Sequence, residues 1–181
     1  MRFGTWRLSD HIGIGQLIQV HSSRENYSFQ VGLFCSEGDD FIAFVDVPEE
    51  GDPRRICIFR KTAIIGLEWS TDYLKQYEHR GWGDLAHPIG MGWFNEVLED
   101  LRRRHAICEL WDHRYDQREV AIIRLLSPTL IAFQRVNEEP DFNHRCVRAL
   151  EDIDAVFIER DQFMTFDLNL AREALPMEFS S

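Results

Sequence analysis

The sequence predicts a mainly-β fold of two tandem five-stranded small barrels with linker helices. Three observations carry that prediction. One apolar segment recurs 89 residues later (Ala132 against Ala43). Apolar residues alternate at period two through short runs, as in half-buried strands. Clusters of Gly, Pro, Asp, Asn and Ser interrupt those runs at short intervals, where turns need them.

The recurrence is ungapped. Phe41-Ile42-Ala43-Phe44-Val45-Asp46-Val47 resembles Leu130-Ile131-Ala132-Phe133-Gln134-Arg135-Val136. The same offset pairs Val31 with Val120, Glu49-Glu50 with Glu138-Glu139, Asp52 with Asp141, Cys57 with Cys146, Ile64 with Ile153 and Asp72 with Asp161. An internal duplication is the expectation.

In the first copy, Gln16 to Ser22 reads as a strand, followed by the polar turn Ser23-Arg24-Glu25-Asn26. Tyr27 to Cys35 is the second, with Tyr27, Phe29, Val31, Leu33 and Cys35 on one face. The turn Ser36-Glu37-Gly38-Asp39-Asp40 leads to the third, Phe41 to Val47. Pro48-Glu49-Glu50-Gly51-Asp52-Pro53 ends it, because proline removes a ladder donor and glycine permits the turn. Arg54 to Arg60 and Ile64 to Trp69 complete the set. The second copy repeats the plan at Ala106 to Trp111, Glu119 to Leu126, Leu130 to Val136, Arg145 to Leu150 and Ala155 to Glu159, with Ser127-Pro128 as the matching turn. Curling such short strands puts the alternating apolar face inside.

Helices are expected outside the barrels. Thr71 to Arg80 follows the fifth strand, with Ser70 or Thr71 as N-cap. Trp93 to Arg104 carries the stripe Phe94, Val97, Leu98 and Leu101. Its acids Glu96, Glu99 and Asp100 precede Arg102-Arg103-Arg104, an order that complements the helix dipole. Phe163 to Leu175 is a candidate closing helix. The domain division is therefore 1–80 for the first barrel with its trailing helix, 81–92 for the linker, and 93–181 for the second barrel with its leading helix.

Composition limits the function classes. Apolar residues make up 44% and charged residues 28% of the chain, as in an ordinary globular protein. No apolar run approaches the ~20 residues that cross a bilayer, and the first residues lack a signal-type apolar core. A cytoplasmic location with no membrane partner is the expectation. Cys35, Cys57, Cys108 and Cys146 form no C-x-x-C pair and read as reduced, buried thiols. The formal charge of -11 opposes non-specific nucleic-acid binding, which draws on phosphate neutralisation.

A leading helix followed by five strands resembles the Sm-like version of the SH3-like barrel. Gly32-x-Phe34 and Asp40-Phe41-Ile42 fall near the Gly-x-Leu and Asp of Sm proteins, and Phe59-Arg60-Lys61 stands near their Ile-Arg-Gly. Leu150-Glu151-Asp152-Ile153 is similar to a Leu-x-Asp-Ile ending in some small bacterial barrel proteins. The resemblance implies the barrel. Its base-reading Asn position is held by Ala43 and Ala132, and the Arg-Gly loop by Arg60-Lys61 and Arg148-Ala149. An RNA site at Arg60 and Lys61 is thus an alternative reading only.

Catalytic and metal chemistries are sparse. None of the seven histidines forms H-x-x-x-H. His105, Cys108, Asp112 and His113 are the nearest approach to a metal cluster, but His105 and Cys108 would face opposite sides of a strand. Acidic turns at Asp39-Asp40, Glu49 to Asp52 and Glu138 to Asp141 lack EF-hand spacing. Neither a metal nor a cofactor is expected. His144 and Cys146 share a strand face and are the one Cys–His pair to consider, as a small hydrolase. Trp82, Trp93 and Phe94 lie in or beside the linker, as interface anchors or as an intrachain clamp. The expectation is a non-catalytic interaction or scaffold protein whose partner is another protein or itself.

Overall fold

A computed structural model describes residues 7–22, 29–50, 52–78, 80–112, 114, 117–136 and 145–159. The candidate closing helix at Phe163 to Leu175 lies outside them. Ten strands form among the described residues: β1 (Leu17–Ser22), β2 (Gln30–Glu37), β3 (Phe41–Asp46), β4 (Arg55–Arg60), β5 (Ile64–Trp69), β6 (Ile107–Asp112), β7 (Gln117–Leu126), β8 (Leu130–Arg135), β9 (Arg145–Ala149) and β10 (Ile153–Glu159). Two helices, α1 (Asp72–Glu78) and α2 (Phe94–Arg104), lie between β5 and β6. The period-two reading therefore places every strand within a few residues of its observed bounds.

All ten strands belong to one antiparallel sheet, ordered β5-β1-β2-β3-β4-β10-β6-β7-β8-β9. This corrects the expectation of two separately closed barrels. The reason is that β4 does not return to its own half. It pairs with β10 of the other, placing Phe59 opposite Ala155, Ile58 opposite Val156 and Cys57 opposite Phe157. The ladder runs on across the halves, and among the described residues the sheet ends at β5 and β9.

Within each half the order is the same, fifth-first-second-third-fourth. Local detail recurs at the 89-residue offset too. The β2–β3 ladder is irregular between Phe34 and Ser36, and the β7–β8 ladder between Ile123 and Leu125. Lys61 N–H donates to the Asp40 carbonyl at 2.8 Å, and Leu150 N–H to the Thr129 carbonyl at 2.9 Å. Val47 N–H reaches the Val31 carbonyl, and Val136 N–H that of Val120, each at 2.8 Å. A 3-10 turn follows each fourth strand, at Lys61–Ala63 and Leu150–Asp152.

Two apolar clusters cover opposite faces of the sheet, and each draws on both halves. Leu8, Ile12, Ile42, Phe44, Cys57 and Ile64 belong to one cluster. The residues at the 89-residue offset, Val97, Leu101, Ile131, Phe133, Cys146 and Ile153, belong to or pack against the other. Equivalent side chains thus change face at the β4–β10 seam, because paired residues across a ladder point to the same side. Aromatic packing fastens that seam. Phe59 meets Phe157 edge-on at 5.6 Å and Trp111 at 5.8 Å, and stacks on Phe44 at 5.6 Å. Each such pair contributes ~0.5–1.5 kcal/mol beyond area burial. The backbone of β2 passes so close to Phe44 that a Cβ on Gly32 would stand 2.2 Å from its ring. Only glycine fits there without displacing the ring.

The helices start near their expected places. Thr71 caps α1, its Oγ1 accepting the Leu74 N–H at 3.3 Å. The N-terminus of α2 is capped from the first half, where Asp40 Oδ1 accepts the Phe94 N–H at 2.7 Å. Glu96 Oε2 reaches back to the Gly92 and Trp93 N–H groups at 2.8 and 3.0 Å. Residues 81–92 pack down: Ala86 and Ile89 are buried, and Ile89 N–H donates to Ser36 Oγ at 3.1 Å. Among the described residues no helix is long and apolar enough to cross a membrane.

Candidate interaction edges

The linker aromatics do not form one surface. Phe94 opens α2 and is fully buried in the cluster that joins the halves, with the Arg60 guanidinium 4.3 Å above its ring. It offers nothing to a partner. Trp82, in a 3-10 turn (Trp82–Leu85), is half-buried against that cluster, under the Arg80 guanidinium at 4.9 Å. Trp93 alone stands out, at 53% exposure. Phe94 and Trp82 both pack within the chain, in or against one apolar cluster.

Arg60 and Lys61 are engaged within the chain. Arg60 donates through Nε to the Ile153 carbonyl at 2.9 Å and through Nη2 to Asn95 Oδ1 at 3.1 Å. It also reaches Asp40 and the Leu150 carbonyl, each at 3.4 Å. One guanidinium therefore ties β4 and the α2 cap to the turn before β10. Lys61 Nζ lies 2.6 Å from Glu37, whose side chain is 2% exposed. These positions serve the seam and the core, where the resemblance suggested a base-reading loop.

The thiols divide in the same way. Burial pushes Cys35 up to about 11 and Cys108 up to about 12, and burial with the nearby Asp46 charge pushes Cys57 well above the ordinary thiol value. None is a thiolate near neutral pH. Cys146 is half-buried on β9; His144, its proposed partner, lies outside the described residues. Asp112 accepts from Arg148 Nε at 3.0 Å and from the Arg114 N–H at 2.9 Å. Cys108 is buried and His105 closes α2 in a left-handed conformation, φ 53°. His113 lies outside the described residues. Among the described residues no three His, Cys, Asp or Glu side chains stand together as metal ligands.

The open sheet edges are what remain. Among the described residues, β5 pairs only with β1 and β9 only with β8. Ile65 on β5 is 60% exposed and Val147 on β9 is 59% exposed. Their surroundings contrast with the internal seam, where Ile56, Cys57, Ile58 and Phe59 on β4 and Ala155, Val156, Phe157 and Ile158 on β10 are all buried. An unpaired strand presents free N–H and C=O groups as a template for another strand. The sequence carried a signal for these edges: Val147 stands 89 residues after Ile58, the centre of the seam. What it could not show was which strands pair with which. No family model matches this chain, and neither a curated protein nor a solved structure matches it.

Proposed function

We propose that this chain is a non-catalytic interaction or scaffold protein of the cytoplasm that engages protein through its open strand edges. The observation that carries the reading is the pair of one-sided strands, β5 and β9, each bearing an exposed β-branched side chain. Strand addition supplies affinity through main-chain hydrogen bonds and specificity through alternate side chains. We further read the chain as a duplicated Sm-like unit. The matched strand order, ladder irregularities and turn hydrogen bonds at one constant offset support that ancestry.

The reading is tested by a photo-reactive residue placed at position 65 or 147 in cells. Protein adducts at both positions are expected. Adducts to RNA alone would replace the scaffold by the RNA-binding alternative, and no adduct at either position would remove it.

A further inference from the structure

α1 and the stretch after it cover one outer face of the first half. Leu74 and Tyr77 stand with Leu17 and Leu33 around one cleft, and Tyr77 stands with Val31 and Val47 around the next. Val31, Leu33 and Val47 are buried there. Their counterparts at the 89-residue offset are Val120, Ile122 and Val136. Ile107 takes the ladder place of Leu17, opposite Ile122 as Leu17 is opposite Leu33. Val120, Val136 and Ile107 are exposed, and Ile122 is half-buried. Among the described residues, which stop at Glu159, no element stands over this face as α1 stands over its counterpart.

We propose that residues 160–181 fold back over this face of the second half, as residues 71–92 do over the first. The two stretches correspond position by position, each directly after the fifth strand of its half. Phe163 and Phe166 take the places of Leu74 and Tyr77, and Leu175 that of Ala86. Phe163, Phe166 and Leu170 recur at helical spacing, so one apolar stripe meets the sheet. Glu178 stands where Ile89 is buried in the first half, so the earlier part of the stretch carries the contact. Leu130 lies beyond that part. Its counterpart Phe41 and the Gly92 carbonyl both stand within 2.6 Å of where a Cβ on Gly38 would lie, at the far end of the first cover from Leu74.

Charge agrees with this occupant. Gln134 shares the face with Ile122 and with Arg145 in the ladders, and Arg124 Nη2 donates to Gln134 Oε1 at 2.8 Å. Two guanidinium groups therefore stand by the face. The stretch carries Asp161, Asp167, Glu173 and Glu178 against Arg160 and Arg172, so opposite signs meet across the contact. The cover leaves the β5 and β9 edges open and does not depend on the scaffold reading.

The experiment is hydrogen exchange of the full chain, read by mass spectrometry. In the parent, amides in 161–170 should exchange at least tenfold more slowly than in an unfolded chain, independently of protein concentration. Phe163→Asp with Phe166→Asp should abolish that protection. Val120→Asp, a change at an exposed position on β7, should abolish it as well, while amides of β3 and β4 stay protected; Val120→Ile should keep it. Val120→Cys combined with Phe166→Cys should close a disulfide within monomeric protein. Unprotected amides in the parent would overturn the proposal, and so would protection that survives Val120→Asp. Protection that grows with concentration, together with dimers in light scattering, would overturn the intrachain contact and give the face to a second copy.

Discussion

Phe41 and Leu130 open the third strand of each half, 89 residues apart, and they meet opposite surroundings. Phe41 is fully buried, whereas Leu130 is 45% exposed. On β3 both faces are covered: Ile42 and Phe44 join one apolar cluster, Phe41, Ala43 and Val45 the other. Tyr77, Ala86 and Ile89, from α1 and the stretch after it, belong to that second cluster. On β8 only Ile131 and Phe133 are buried. The same strand pattern thus becomes a two-sided core element in one half and a one-sided one in the other. What packs on the outer face makes the difference, more than the strand itself.

The largest test of this contrast is truncation at the paired positions. Phe41→Ala should cost ~3–5 kcal/mol in urea unfolding, as for large aromatic side chains removed from a core. Leu130→Ala should cost under ~1 kcal/mol, since much of its surface already faces water. Equal losses would mean that the second half is covered as well as the first.

A second contrast is chemical. The ion pair of Lys61 with the buried Glu37 stands where the second half has Leu150 and Leu126, both in its apolar layer. Lys61→Ala leaves the buried Glu37 carboxylate with the Ser9 N–H at 3.0 Å but without its cation, and should cost ~3 kcal/mol. Replacing both residues, Glu37→Leu with Lys61→Leu, copies the second half and should bring stability back to within ~1 kcal/mol of the parent, or above it. A double variant as weak as the single one would show that the two sites are not interchangeable.

Thiol reactivity sharpens the comparison between seam and edge. Cys57 lies in the seam and Cys146 at the equivalent edge position, half-buried. A thiol reagent on native protein should modify Cys146 first, with Cys57, Cys35 and Cys108 reacting only on unfolding; mass spectrometry reads the order. Labelling of Cys57 at a similar rate would mean that the seam opens.

The smallest effect lies on α2. Hydrogen bonding and charge from Arg102 hold the Glu99 carboxyl below its ordinary value of 4.5. Its contribution is therefore present above pH 4.5 and fades as the pH falls through the lowered value. Both partners are more than a third exposed or close to it, so Glu99→Gln should cost under ~0.5 kcal/mol at neutral pH, and nothing measurable in acid.

Strand positions were readable because alternation and turn chemistry are local. Phe41 to Asp46 announces itself through an apolar run between Gly38-Asp39-Asp40 and Pro48, and Ile64 to Trp69 through one that ends at Ser70-Thr71-Asp72. The roles of Asp40 and Arg60 were not readable. A capping aspartate normally sits beside its helix, yet Asp40 caps a helix that begins 54 residues later. Phe94 had the signature of an interface anchor and is instead core, because the segment before it packs down on the first half.

By itself the sequence placed ten strands and two helices, among the described residues, to within a few residues of their observed bounds. Only the tertiary structure decided that β4 joins β10, which merges two expected barrels into a single sheet and leaves β5 and β9 at its ends. The physical reason is that a strand's alternation depends on its own residues, while its hydrogen-bonding partner is chosen by a competition among all available edges.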